Sequence, residues 1–90
     1  MAHKAEISWT RVDESGQKLR VFARHVGNQW IFFVRQRRYE QWQEAEHPSL
    51  EDWLELLDAI RRRVRRRKAR PDEIRRLERS IRDRFPEATI

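Results

Sequence analysis

The chain of 90 residues contains no cysteine and only two glycines, and these absences exclude several kinds of site. Without cysteine the protein has no disulfide bond and no metal site built from thiolates. Gly16 and Gly27 are too few to form a glycine-rich phosphate-binding loop. No apolar run is long enough to span a membrane, and the segment MAHKAEISW lacks the apolar core of a signal peptide. We therefore expect a cytoplasmic protein without a bound cofactor.

Patterns of catalytic residues are also missing from the sequence. His3, His25 and His47 are isolated, without the spacing of a metal-binding H-E-x-x-H helix. We expect His25 to pack beside Trp30 rather than to act as a base. None of the four serines stands in a nucleophile elbow. Most carboxylates lie four residues from an arginine, which is typical of solvated ion pairs, so we expect a non-enzymatic protein.

A folded domain is expected even though 40% of the residues are charged. The hydrophobic fraction is 38%, with four Trp and four Phe, which supplies enough large side chains for one small core. Ninety residues is near the lower end of what buries a stable core. We therefore expect a single domain over residues 1–90, to which formation of a homodimer would add burial.

Positive charge is concentrated in one segment of the chain. The net charge is +6, yet residues 61–70 carry eight positive charges and no negative one, and the remaining chain has 13 basic against 15 acidic residues. Eighteen of the 21 cations are arginine, whose planar guanidinium suits phosphates and base edges. A GC-rich genome produces the same bias without any function, so composition leaves both explanations open. We call this segment the basic run; its cations are Arg61, Arg62, Arg63, Arg65, Arg66, Arg67, Lys68 and Arg70.

The N-terminal half has the pattern of three strands between about residues 5 and 38. The segments EISWTRV, KLRVFARHV and QWIFFVRQR are rich in β-branched and aromatic residues. Gly27 and Asn28 form a two-residue connection of the kind that closes tight hairpins. This turn predicts that Val26 lies opposite Gln29, and that the pairs continue as His25–Trp30, Ala23–Phe32 and Val21–Val34. Together with Leu19, the last three pairs form an apolar face.

The other face of the hairpin alternates cations with large apolar residues. We call it the arginine face; the residues predicted on it are Arg20, Phe22, Arg24, Ile31, Phe33, Arg35 and Arg37. The length of the loop between the first and second strands decides on which face of the sheet each side chain of the first strand lies. A three-residue loop over residues 14–16 places Ile7 and Trp9 on the apolar face, whereas a four-residue loop turns them to the arginine face. We favour the first because it buries two large apolar residues.

The C-terminal half has the pattern of two helices, at about residues 49–68 and 71–85. Ser49 is the expected N-cap of the first helix, and Pro71 stands in the first turn of the second. We expect a break between them because the residue before a proline disfavours the helical conformation. Apolar residues recur at helical spacing in both: Leu50, Trp53, Leu54, Leu57, Ile60 and Val64 in the first, and Ile74, Leu77, Ile81 and Phe85 in the second.

The predicted fold class is α+β, with three antiparallel strands followed by two helices (β-β-β-α-α). We expect the first helix to pack on the apolar face of the sheet. The second helix either folds back beside the first or projects to pair with another subunit.

The basic run indicates an anionic partner. A helix dipole stabilises cations in the last turn by only about 0.3 to 1 kcal/mol each, and eight cations in ten residues exceed that need. The predicted function is therefore nucleic-acid binding, mainly through backbone phosphates, at an arginine-rich helix end. An acidic protein is a second candidate partner. A membrane surface is a weaker one, because no free apolar stripe accompanies the cations.

The arginine face is a candidate second surface for nucleic acid. Phe22 and Phe33 could stack bases while Arg20, Arg24, Arg35 and Arg37 hold phosphates. Alternatively, Phe22 and Phe33 form a cross-strand pair that the second helix or a second subunit covers. In that case the protein is an interaction or structural module, homodimeric through this face or through its C-terminal helix. The sequence does not distinguish DNA from RNA.

Overall fold

The computed structural model describes residues 6–90 and contains, within that range, four strands and two α-helices. The strands are β1 (Glu6–Val12), β2 (Lys18–Val26), β3 (Gln29–Arg35) and β4 (Gln43–Ala45), and the helices are α1 (Leu50–Arg65) and α2 (Pro71–Arg84). The predicted α+β class and its β-β-β-α-α order are confirmed, with a three-residue strand added to the sheet. The predicted start of the first strand at residue 5, and His3, lie outside the described residues.

The chain divides into two compact units, Met1–Pro48 and Ser49–Ile90. The described part of the first is the antiparallel sheet, with strand order β1-β2-β3-β4. The second consists of the two helices, their connection and the segment that follows α2.

The hairpin of β2 and β3 has the predicted register. Val26 pairs with Gln29, and the pairing continues through His25–Trp30, Ala23–Phe32 and Val21–Val34 to Arg20–Arg35. Of the two turn residues only Gly27 has a positive φ, of 61°, which is the sign pattern of a type II′ turn. A two-residue turn of this type fixes the register and thereby decides which side chains share a face.

The loop between β1 and β2 is the three-residue connection that the sequence favours. The backbone N–H of Asp13 donates to the carbonyl of Gln17 at 2.9 Å, and the N–H of Gly16 donates to the carbonyl of Asp13 at 3.0 Å. Gly16 takes φ of +85°, as the left-handed position of such a loop requires. Ile7 and Trp9 consequently pair with Ala23 and Val21, which confirms that they lie on the apolar face.

The buried residues of the sheet all lie on that apolar face. They are Ile7, Val21, Ala23 and Phe32. Trp9 is half-buried, and its ring meets Phe32 edge-on at a centroid distance of 6.1 Å. The alternation of burial along β2 is therefore the one that its sequence predicts.

Helix α1 begins where its cap predicts. The Oγ of Ser49 accepts a hydrogen bond from the backbone N–H of Asp52 at 3.2 Å, which confirms Ser49 as the N-cap. The buried residues match the predicted stripe only in part: Leu54 is 37% exposed and Leu50 and Val64 are half-buried, whereas Asp52, Leu56 and Ala59, outside the predicted stripe, are buried. At about 100° per residue, Leu54 is turned away from the arc that Trp53 and Ile60 occupy, and Leu56 lies within it.

Helix α2 begins at Pro71 and ends at Arg84, two residues before Pro86. Leu77 and Ile81 are buried, and the other two members of the predicted stripe, Ile74 and Phe85, are half-buried. The missing N–H of proline costs nothing in the first turn, where no intrahelical acceptor exists.

Helix α1 ends at Arg65, three residues before the predicted end at about residue 68, in a Schellman motif. The backbone N–H of Lys68 donates to the carbonyl of Arg63 at 2.8 Å, and that of Arg67 donates to Val64 at 2.9 Å. Arg67 has φ of +61°, a left-handed conformation that glycine normally supplies at this position. Because arginine carries a Cβ, the conformation costs about 1 to 2 kcal/mol.

We expect Arg67→Gly to be more stable than Arg67→Gln by about 0.5 to 1 kcal/mol, after allowing for the flexibility that glycine adds to the unfolded chain. Both variants remove the same charge, but only glycine removes the Cβ from the left-handed residue. Urea unfolding of the two variants measures the difference. Equal free energies of unfolding would contradict the strained turn.

Three hydrogen bonds to Oδ1 of Asp13 lower the pKa of that carboxyl below its ordinary value of 3.8. The backbone N–H of Gln17 at 2.9 Å contributes most, followed by the hydroxyl of Ser15 at 2.8 Å. A carboxyl whose pKa is lower in the folded state stabilises the fold above its unfolded-state pKa. That stabilisation is lost as the pH falls through the folded-state value.

The variant Asp13→Asn keeps an acceptor oxygen at the loop but cannot titrate. We expect its free energy of unfolding to decline less steeply than that of the wild-type protein as the pH falls from about 5 to about 2. Urea unfolding at a series of pH values measures both curves. Parallel curves would show that the loop contributes nothing to the pH dependence.

Candidate nucleic-acid interface

The basic run spans the end of α1 and the connection to α2. Its first four cations lie in the last five residues of α1, Arg66 is the C-cap, and Arg70 is the N-cap of α2. Arg67 and Lys68 lie in the connection between the helices. Half of the predicted site therefore stands on a turn rather than on a helix face.

The cations at the start of the run are engaged within the second unit. Arg61 pairs with Glu78 of α2 at 2.9 Å, which links the two helices. Arg62 pairs with Asp58 one turn earlier, as the sequence predicts. Arg63 is half-buried. These three side chains are better placed to stabilise the end of α1 than to hold a ligand.

The remaining cations have no acidic partner within residues 6–90. The side chains of Arg65, Arg66, Arg67, Lys68 and Arg70 are exposed, and none makes a hydrogen bond or an ion pair with another described residue. We call these five residues the unpaired cations. They lie within a stretch of six residues, interrupted by Ala69 alone, so they repel one another across short distances.

Neighbouring charges compensate the unpaired cations only in part. The C-terminal end of the α1 dipole favours cations at Arg65 and Arg66, whereas Arg70 stands at the positive end of α2, where a cation is unfavourable. Asp72 and Glu73 occupy the first turn of α2, but Asp72 pairs with Arg76 at 3.4 Å. An anion supplied from outside would relieve the remaining repulsion.

On the arginine face of the sheet, three aromatic rings form what we call the aromatic cluster. Phe22 and Phe33 pair directly in register, and their rings stack at a centroid distance of 4.7 Å and an interplanar angle of 16°. Trp42 meets Phe22 edge-on, also at 4.7 Å, at an angle of 89°. All three side chains are half-buried. The two phenylalanines therefore form the cross-strand pair that the sequence offers as an alternative, with Trp42 against it.

Sequence reasoning missed Trp42 because its neighbourhood has no strand pattern. It lies just before β4, a three-residue strand whose sequence QEA contains no β-branched or aromatic residue. The pairing of Phe33 with Glu44 brings this segment beside β3. Only the presence of a lone tryptophan in a polar stretch marked the position.

Two arginines of this face stack on the aromatic cluster. The guanidinium carbon of Arg24 lies 5.4 Å from the ring centre of Phe22 and 5.6 Å from that of Phe33, within the range of cation–π contacts. Arg24 also pairs with Glu6 at 2.7 Å. The guanidinium of Arg35 lies 4.2 Å from the ring centre of Trp42.

The other predicted members of the face are dispersed. Arg20 is exposed and lies directly opposite Arg35, so that two like charges face each other across the strands. Ile31 is half-buried opposite Arg24. Arg37 lies beyond the end of β3, where its side chain donates to the hydroxyl of Tyr39 at 2.9 Å. The structure therefore brings four of the six predicted site residues of the face together, Phe22, Arg24, Phe33 and Arg35, with Arg20 beside Arg35 and Arg37 outside the strand.

A groove of about 490 Å³ opens at this end of the sheet. It is lined by Arg35 and Glu40, by the apolar Leu19 and Val34, and by the side chains of Gln36, Gln41 and Gln43. Its surface therefore combines one cation with several amide donors and acceptors.

Other kinds of site find no support in the described residues. His25 stacks on Trp30 at 4.6 Å, which confirms it as a packed residue of the hairpin. Within residues 6–90, no group of three or more His, Asp or Glu side chains is arranged to hold a metal ion. In the same range, neither helix has the length and apolar character needed to cross a membrane.

Comparison of the chain with protein-family models, curated proteins and solved structures found no match. The functional interpretation therefore depends on the two charged surfaces themselves.

We expect neutralising part of the unpaired cations to stabilise the protein at low salt. The variant Lys68→Gln/Arg70→Gln should raise the free energy of unfolding by about 0.5 kcal/mol, because it removes like-charge repulsion and an unfavourable cation at the positive end of α2. The gain should vanish near 1 M salt, where screening acts over about 3 Å. Urea unfolding at low and high salt measures both values.

The matched control is Arg38→Gln/Arg79→Gln, which removes two exposed cations from separate segments. It should change the free energy of unfolding little at either salt concentration. If both double variants behave alike, the unpaired cations do not strain the fold.

Proposed function

We propose that the protein is a non-enzymatic nucleic-acid-binding protein that holds backbone phosphates with the basic run. One observation carries the proposal: five exposed cations that have no acidic partner among the described residues lie within residues 65–70. The dipole of α1 favours only Arg65 and Arg66, which lie at the end of that helix, and does not account for the other three cations.

A polyanion suits this arrangement better than an isolated carboxylate. Several cations close together can each neutralise a phosphate of the same chain, and the release of condensed counterions from that chain adds to the affinity. Four of the five are arginine, whose forked guanidinium bonds phosphate oxygens in pairs. The turn at Arg67 spreads the side chains beyond a single helix face, as contact with an extended backbone requires.

The eight predicted residues divide into two roles under this proposal. The five unpaired cations contact phosphates, whereas the other three stabilise the fold: Arg63 is half-buried, and Arg61 and Arg62 hold the end of α1 through Glu78 and Asp58. Changing one of these two should therefore affect stability more than it affects ligand binding.

An acidic protein segment offers carboxylates to the same cations and is the partner that remains if nucleic acid fails to bind. It lacks the regular phosphate spacing and the condensed counterions that produce a steep dependence on salt. The salt dependence of binding therefore separates the two partners.

The test measures fluorescence anisotropy of labelled duplex DNA, single-stranded DNA and structured RNA at about 50 to about 200 mM salt. We expect binding that weakens steeply with salt. For duplex DNA, the variant Arg65→Gln/Arg66→Gln/Lys68→Gln/Arg70→Gln should reduce the slope of log K against log salt by about 3 to 4, since each lost phosphate contact contributes about 0.9.

The matched control carries Arg11→Gln, Arg38→Gln, Arg75→Gln and Arg79→Gln, so both quadruple variants have a net charge of +2 instead of +6. The control should keep most of the affinity and the slope. Equal losses of affinity in the two variants would show that the basic run acts only through the net charge of the protein. Absence of binding by the wild-type protein at low salt would rule out the proposed function.

A further inference from the structure

The arginine face of the sheet has features that the basic run does not provide. Its aromatic cluster keeps part of each ring accessible, since Phe22, Phe33 and Trp42 are half-buried rather than buried. Exposed π surface is what unpaired bases stack on, whatever their sequence. The cluster therefore offers contacts to bases, whereas the unpaired cations offer contacts to phosphates alone.

Stacking on the cluster orients the arginines of this face. The guanidinium of Arg35 lies over Trp42, and its Nη1 donates to the carbonyl of Glu40 at 3.3 Å. The guanidinium of Arg24 contacts the rings of Phe22 and Phe33 and also pairs with Glu6. A guanidinium already held in place loses less conformational freedom on binding, and its outer plane is itself a stacking surface for a base.

The facing pair Arg20 and Arg35 indicates that the ligand is anionic. Like charges directly opposite each other on neighbouring strands destabilise a sheet. No ion pair within residues 6–90 neutralises either side chain. A phosphate placed between them would remove the repulsion.

We propose that the arginine face binds single-stranded nucleic acid, an inference that rests on the proposed function and names the form of its ligand. Bases stack on the accessible parts of the aromatic cluster and on the plane of Arg35. A phosphate lies between Arg20 and Arg35.

The observations favour a single strand over the other occupants of such a surface. In a duplex the bases are stacked on one another inside the helix and cannot reach aromatic rings on a sheet. In a homodimer formed through this face, Arg20 and Arg35 would meet the same two cations of the second copy. Glu6 already pairs with Arg24, so Glu44 would be left to compensate them. Charge complementarity therefore favours a polyanion with accessible bases.

The test compares three labelled probes of equal length, at one salt concentration: a single strand, its duplex, and the same strand with abasic sites in place of its bases. We expect the wild-type protein to bind the single strand more tightly than the duplex, and about tenfold more tightly than the abasic strand. Trp42→Leu should remove most of that tenfold difference. Arg20→Gln should weaken binding of the intact and the abasic strand by the same factor.

The control for Trp42→Leu is Trp30→Leu, which removes a half-buried tryptophan from the other face of the sheet and should leave all three affinities unchanged. Circular dichroism and thermal unfolding establish that each variant folds. If Trp42→Leu does not fold, the comparison of intact and abasic strands with the wild-type protein still decides the question. Arg20→Gln, at an exposed position, supplies the second variant.

Equal binding of the wild-type protein to intact and abasic strands would overturn this inference and leave the phosphate-binding proposal standing. Absence of binding to every probe would overturn both. A monomer–dimer equilibrium that Trp42→Leu abolishes, with unchanged affinity for the single strand, would also overturn the inference. The arginine face would then be an interface between copies of the chain, and sedimentation velocity measures this outcome.

Discussion

Repulsion among the cations at residues 65–70 is the constraint on which the interpretation of this protein depends. Three acidic residues of the helical unit pair with other arginines: Asp58 with Arg62, Glu78 with Arg61, and Asp72 with Arg76. The chain also reverses at Arg67 in a conformation that arginine adopts only at a cost. The turn at Arg67 satisfies carbonyls at the end of α1, but fold stability does not explain the concentration of cations around it, whose repulsion a bound polyanion would offset.

The sheet depends on a second constraint, the length of its two tight loops. A two-residue turn at Gly27 and a three-residue loop ending at Gly16 set the pairing of β1, β2 and β3. These loop lengths pair Phe22 with Phe33 and Arg20 with Arg35. The four side chains lie on the face of the sheet that does not carry the buried Phe32. The aromatic and cationic features of the arginine face thus follow from turn geometry, because a slip of one residue would exchange the two faces.

Sequence reasoning predicted the parts of the structure that follow from local rules. The alternation of apolar and polar residues, together with the turn residues, predicted the strands and their register. The capping residue Ser49 predicted the start of α1. It predicted the end of α1 at about residue 68, three residues too late, because the Schellman turn closes on an arginine instead of the glycine that usually marks the end of a helix. The ion pair between Arg61 and Glu78, and the contact of Trp42 with Phe22, join residues 17 and 20 positions apart. No periodicity reveals such contacts, so the division of the basic run and the third ring of the cluster required the structure.

The most direct test of phosphate binding by the basic run is a titration of ¹⁵N-labelled protein with nucleic acid, followed by two-dimensional NMR at low salt. We predict that the largest chemical-shift changes occur at the backbone amides of residues 65–70 and that they reverse when salt is added. Changes spread evenly over the chain, or none at these amides while the ligand binds elsewhere, would contradict the assignment of the unpaired cations as the phosphate-binding site.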